Sequence, residues 1–236
     1  MTDHFLSIYA NKADLYDAMV AREDYQGNLL PAIQRITPLE NAKVIEFGAG
    51  TGRLTRLLAP HVQQIIACDF SHHMLVTGRP TLPDSGNWSL VTADNSAMPF
   101  AAQQADLTIA GWSFGHATGW TPDRWREVIG AALSEMQRLT RPGGTMVILE
   151  TLGTGSETPA PPNEALAAYY HWLENDHGFQ REWLRTDYDF GSVDEADRLT
   201  RFFFGDEFAD RVRAENWRIV SECTGLWWRR LYSIIS

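Results

Sequence analysis

Two cysteines, Cys68 and Cys223, and two lysines, Lys12 and Lys43, are all that these residue types contribute to a chain of 236 residues. The cysteines lie far apart, each inside an apolar, strand-like run, which excludes a disulfide framework or a cysteine metal cluster and leaves buried free thiols. No lysine–arginine cluster relieves a formal net charge of −10. A surface that tracks nucleic-acid phosphates, or one that docks on anionic lipid, is therefore not expected. Long apolar runs are missing as well, none approaching the ~18 residues that span a bilayer. The first residues carry Asp3, His4, Lys12 and Asp14 instead of a secretory apolar core, so the expected compartment is the cytoplasm.

What is present is apolar and aromatic. A hydrophobic content of 44% with nine tryptophans suffices for one sizeable α/β core. Short apolar runs alternate with longer amphipathic ones between Lys43 and Glu150, the pattern of a parallel sheet with crossover helices. Strands are expected at Lys43–Phe47, Gln64–Asp69, Trp88–Thr92, Ala105–Ala110 and Gly144–Glu150. A helix after the fourth strand, capped by Thr121 with Pro122 in its first turn, should bury Trp125, Val128, Ile129, Ala132, Leu133, Met136 and Leu139 on one face. Residues 1–36 read as a helical cover, with Ile8, Leu15, Tyr16 and Met19 inward, and residues 37–236 as one domain. Past Glu150 the reading is a loop from Gly153 to Pro162, a helix from Asn163 to His177 and a strand from Trp183 to Phe190. A helical stretch from Val193 to Glu215 broken at Gly205 follows, then a last strand from Ile219 to Tyr232 with a bulge at Gly225.

The most informative segment is Val44-Ile45-Glu46-Phe47-Gly48-Ala49-Gly50-Thr51-Gly52-Arg53, a buried strand that breaks into glycines and restarts as a helix. Such a turn lets a ligand press on bare backbone and presents the unpaired N–H groups of a helix start. No Lys-Ser/Thr follows Gly52, which argues against a nucleoside-triphosphate loop, and the spacing is G-x-G-x-G, not the G-x-G-x-x-G of dinucleotide sites. The second strand ends at Asp69, where a carboxylate beside the glycine turn can accept the two hydroxyls of a ribose. The third leads into Ala93-Asp94-Asn95, where an acid can accept the exocyclic amine of adenine. Asp106, at the start of the fourth strand, reads as structural.

In that order, and with Arg141-Pro142-Gly143-Gly144 closing the set, these motifs resemble the class I S-adenosylmethionine-dependent methyltransferases. The resemblance implies a doubly wound, Rossmann-like seven-stranded sheet whose last strand is antiparallel, under an N-terminal helical lid. It implies S-adenosyl-L-methionine as cofactor and S-adenosyl-L-homocysteine as product. Glu46, Gly48, Ala49, Gly50 and Gly52 would surround the methionine part and Asp69 the ribose. Phe70 would flank the adenine, Ala93, Asp94 and Asn95 would read its amine, and Ala110 to Trp112 would meet the methionine amino group. Tyr9 would cover the methyl donor.

The acceptor should lie above strands four and five. His116 is the candidate base, since imidazole titrates near neutral pH; a hydrogen bond to loop backbone is its alternative role. Phe114, Trp120, Glu150, Tyr169 and Trp172 are the candidate acceptor pocket, with Trp112, Tyr170 and Trp183 completing a possible aromatic enclosure. Arg22, Glu23 and Tyr25 read as solvated surface, with substrate contact as the alternative. Gly111-Trp112-Ser113-Phe114 is not the Asn/Asp-Pro-Pro-aromatic loop that aligns base or amide nitrogens, and Ala110-Gly111 with Glu150-Thr151 lacks the acids of the metal-dependent catechol type. The expectation is methyl transfer to a small-molecule O or N nucleophile without a metal, by a monomer or homodimer. A protein-directed methyltransferase, a non-catalytic cofactor-binding subunit and an NAD-dependent oxidoreductase are the competing readings.

Overall fold

The computed structural model describes residue 8 and residues 11–232. Seven strands form one sheet: β1 (Lys43–Phe47), β2 (Gln64–Asp69), β3 (Trp88–Thr92), β4 (Ala105–Gly111), β5 (Thr140–Thr154), β6 (Gln180–Arg185) and β9 (Glu222–Arg230), in the order β3-β2-β1-β4-β5-β9-β6. The first five run parallel, while β9 is antiparallel to both β5 and β6. A two-stranded sheet pairs β7 (Tyr188–Asp189) with β8 (Ile219–Val220).

The central strands are apolar on both faces, as a sheet covered on both sides requires. Leu29 and Ile33 of helix α2 (Leu29–Ile36), with Leu54 and Leu58 of α3 (Arg53–Leu58), pack on Val44, Ile65, Leu107 and Val147. The opposite face, with Ile45, Phe47 and Ile148, takes Ile129, Leu133 and Met136 of the helix Trp125–Leu139 together with Tyr169 and Leu173 of the helix Glu164–Asn175. Helix α1 (Ala13–Val20) closes one end by placing Met19 in a third cluster with Tyr188, Phe190, Leu199 and Val212. Asp106 has the structural role expected of it, accepting from the Lys43 N–H at 2.8 Å and pairing with Arg141. Both cysteines are buried free thiols. Among the described residues no helix is long and apolar enough to cross a membrane.

Several boundaries differ from the sequence reading, each for a local reason. Thr121 does not cap the long helix; its hydroxyl donates back to the Ala117 carbonyl, and Arg124 occupies the cap position. The fifth strand begins at Thr140, upstream of the Pro-Gly-Gly, because the chain is already extended where the helix ends. The strand expected at 183–190 divides, since Thr186 and Asp187 leave the large sheet and turn into the small one. Ile219–Tyr232 likewise breaks at Ser221. Gly225 is not a bulge: it pairs in register with Glu150 and Trp183, and the irregularity falls on β5 between Thr151 and Thr154. Gly225 instead makes room for the Trp227 ring, which a side chain there would strike.

Candidate functional site

Strand order reverses around β1, which lies between β2 and β4, and the carboxyl ends of these three strands open on a cavity of about 450 Å³. Crevices at such a switch point are where open α/β sheets bind ligands. The glycine turn forms its floor. Gly48 has φ +64°, and a Cβ built there would lie 2.0 Å from the Ser113 hydroxyl, so only glycine lets the turn approach the loop after β4 this closely.

Asp69 ties the floor to the next strand. One carboxylate oxygen accepts the Gly50 N–H and the other the Ser71 N–H, each at 2.7 Å. Burial pushes its pKa upward against these two hydrogen bonds. Each oxygen keeps a lone pair for a ligand hydroxyl. Next to it Phe70, 56% exposed, offers an uncovered ring to the cavity. Asp94 is exposed and accepts from the Ser96 N–H at 2.8 Å and the Ser96 hydroxyl at 2.7 Å, bonds that hold its carboxyl below the usual carboxylate range. Asn95 donates toward Ser113, while its own buried carbonyl oxygen has no protein partner.

On the facing wall, Trp112 stands in the left-handed region at φ +49°. The ring of His116 is hydrogen-bonded to the Trp112 backbone and stacks on Trp120 with centroids 4.8 Å apart. Part of its surface meets the cavity, yet the surrounding protein lowers its pKa to about 4 by desolvation. Glu150 lies behind this loop: its carboxylate accepts the Gly115 N–H at 2.8 Å, and burial pushes its pKa up to about 8.

The structure therefore brings Gly48, Gly50, Asp69, Phe70, Asp94, Asn95, Trp112, Phe114, His116 and Trp120 to one cavity. Glu46 is not on its wall; it is buried under the turn, taking the Thr55 hydroxyl, with its pKa pushed up to about 8 by burial. Ala49, Gly52, Ala93 and Ala110 shape the backbone without facing the cavity. Glu150, Tyr169 and Trp172 are not among the residues that line this cavity. Tyr169 is core beside Tyr170, Trp172 packs edge-on against Trp125, and Trp183 stands 47% exposed on the outer strand. Tyr9 lies outside the described residues.

Sequence reasoning missed Tyr16 and Val128 as cavity residues. Both read as members of core-facing stripes, and Val128, 39% exposed, borders the opening instead of the core. Glu23, expected on the surface, has a side chain only 1% exposed and pairs with Arg53. A carboxylate followed distantly by an arginine carries no local signal of such a pairing.

Residues 45–148 match the family described as Methyltransferase domain. Among curated proteins, the chain is 32% identical over 128 residues to the demethylmenaquinone methyltransferase of Beutenbergia cavernae, covering 54% of this chain and 47% of that one. It is 31% identical over 134 residues to the malonyl-[acyl-carrier protein] O-methyltransferase of Methylococcus capsulatus, covering 56% and 45%. The chain thus spans about half the length of the curated relatives it matches. In fold it is similar to a SAM-dependent methyltransferase from Aquifex aeolicus, with a TM-score of 0.54 and 13% identity over 86% of this chain and 93% of that one.

Proposed function

We propose that this chain is a class I S-adenosylmethionine-dependent methyltransferase that transfers the methyl group to an oxygen or nitrogen of a small-molecule acceptor. The observation that carries this reading is the convergence of the glycine turn, Asp69 and the uncovered Phe70 ring on one cavity. The residues present suit the cofactor. Asp69 and Asp94 are acceptors that match ribose hydroxyls and an adenine amine, Phe70 gives a flat apolar face, and the unpartnered Asn95 oxygen awaits a donor. The cavity volume is within the range of small-molecule sites.

When bound, the cofactor supplies a methyl group already activated on a sulfonium. The protein's part is then to align the acceptor and exclude water. Tyr16 from the cover and Trp112 and His116 from the loop after β4 line the cavity and would perform that task. His116, with a pKa near 4, is neutral at pH 7 and a weak base, which favours acceptors whose nucleophile is already unprotonated or only weakly held by its proton. The small-molecule assignment draws on the aromatic and aliphatic lining, which includes Phe114, Trp120, Val128 and Ile129. The curated relatives differ in acceptor, one being named an O-methyltransferase and another a C-methyltransferase, so they do not narrow it. Calorimetric titration with S-adenosylhomocysteine and with NAD is the test. Heat with the first alone is expected, and heat with NAD alone would overturn the reading.

A further inference from the structure

Arg53 opens the helix after the glycine turn, yet its side chain leaves both the helix surface and the cavity. The guanidinium carbon lies 3.3 Å from the centroid of the Trp112 indole, and Nη1 is ion-paired with Glu23 of the cover segment. Glu23 is satisfied from further elements: the Tyr188 hydroxyl donates to it at 2.8 Å and the Thr186 hydroxyl at 3.1 Å. The arginine side chain is 18% exposed. Burial pulls its pKa down, and Glu23 together with Tyr16 and Tyr188 more than offsets that, so the guanidinium stays charged.

Trp112 is a bulky residue at positive φ, a conformation that persists only where the surroundings over-determine it. Its N–H donates to the Leu149 carbonyl at 2.7 Å, which fixes the backbone but not the ring. The ring is covered by Arg53. A planar guanidinium can stack on an indole and hydrogen-bond a carboxylate in its own plane at once, which an ammonium cannot.

We propose that Arg53 is a positioning residue: clamped by Glu23, it holds the Trp112 ring and so sets the cavity wall from which His116 also hangs. The proposal rests on the reading above only in using S-adenosylhomocysteine as one of its probes. The arrangement makes the cover segment part of the site's geometry, because releasing Glu23 releases Arg53 and then Trp112.

The test has two independent readouts. In ligand-free protein labelled with 15N-tryptophan, the Trp112 indole resonance is assigned by its loss in Trp112→Phe. It is expected to move or broaden in Arg53→Met, and an unmoved resonance overturns the proposal whether or not the wild type binds the probe. By calorimetry, Arg53→Met and Trp112→Ala are each expected to weaken S-adenosylhomocysteine tenfold or more, with the double variant within twofold of the weaker single one. Effects that multiply, or an unchanged affinity in Arg53→Met, overturn it. Because Arg53→Met strands a buried carboxylate, Arg53→Met/Glu23→Gln is compared with it. The pair should recover the melting temperature but not the affinity, and recovery of both would make the ion pair a brace of the fold and overturn the proposal. A wild type that ignores the probe refutes the functional reading and leaves the resonance to decide this one.

Discussion

Gly48→Ala tests the contact between the glycine turn and the loop after β4. Two costs can be separated. Holding an alanine at φ +64° costs about 1–2 kcal/mol, as for any L-residue in the left-handed region. The new methyl would also lie 2.0 Å from the Ser113 hydroxyl and 2.6 Å from its Cβ, distances that no contact tolerates, so the loop must move. Overpacking of that kind costs about 1–3 kcal/mol. The sum is about 2–5 kcal/mol, or roughly 4–20 °C in melting temperature for a chain of this size. Ser113→Gly removes the struck atoms without touching φ. The double variant Gly48→Ala/Ser113→Gly should therefore regain the packing part and keep the backbone part. Urea unfolding of the four proteins without ligand measures both. A single variant within about 0.5 kcal/mol of wild type, the scale of surface substitutions, or a double variant no more stable than Gly48→Ala, would refute the reasoning.

Asp69→Ala removes a ligand acceptor and the two tethers to Gly50 and Ser71 together. We expect S-adenosylhomocysteine to bind more weakly by about 1.5–3 kcal/mol, the scale of a hydrogen bond to a charged group, and calorimetry showing unchanged affinity would exclude the assignment. Glu150 bears on pH dependence: with its pKa raised from 4.5 to about 8 by burial, the folded state keeps a proton that the unfolded chain releases. Stability contributed at this site is then greatest at low pH and declines as pH rises from about 4.5 to about 8, by about 1.4 kcal/mol per unit. Glu150→Gln, which can still accept the Gly115 N–H, should flatten that slope in urea unfolding between pH 5 and 8, and parallel wild-type and variant curves would count against it.

The sheet was legible because buried parallel strands separated by turn residues have a strong pattern, and five strand positions follow from it directly. That Gly48, Gly50 and Asp69 come together at one cavity was legible for a related reason, since a sharp turn beside a strand-end carboxylate demands residue types that few other constraints select. Other parts were set by tertiary contact. Nothing local distinguishes Val128, which borders the cavity, from Leu133, which is core on the same helix. Glu150, Tyr169 and Trp172 have residue types that suit a pocket, but the helix Glu164–Asn175 buries Tyr169 against the sheet. Glu23 reads as surface because its partner is 30 positions away on another element.

The way the cover is seated has a consequence for the order of folding. Backbone N–H groups of Asp24 and Tyr25 donate to Thr186 and Asp187, Asp189 donates to Arg22, and the Asn28 amide reaches the Arg185 carbonyl. An early part of the polypeptide is thus stitched to one made much later. On a ribosome, β1, β2 and the glycine turn emerge long before the segment that fastens the cover above them. The first half of the chain can meet the cover through Arg56 and Asp17, but the backbone bonds that fasten the cover form only once residues 185–189 have been made.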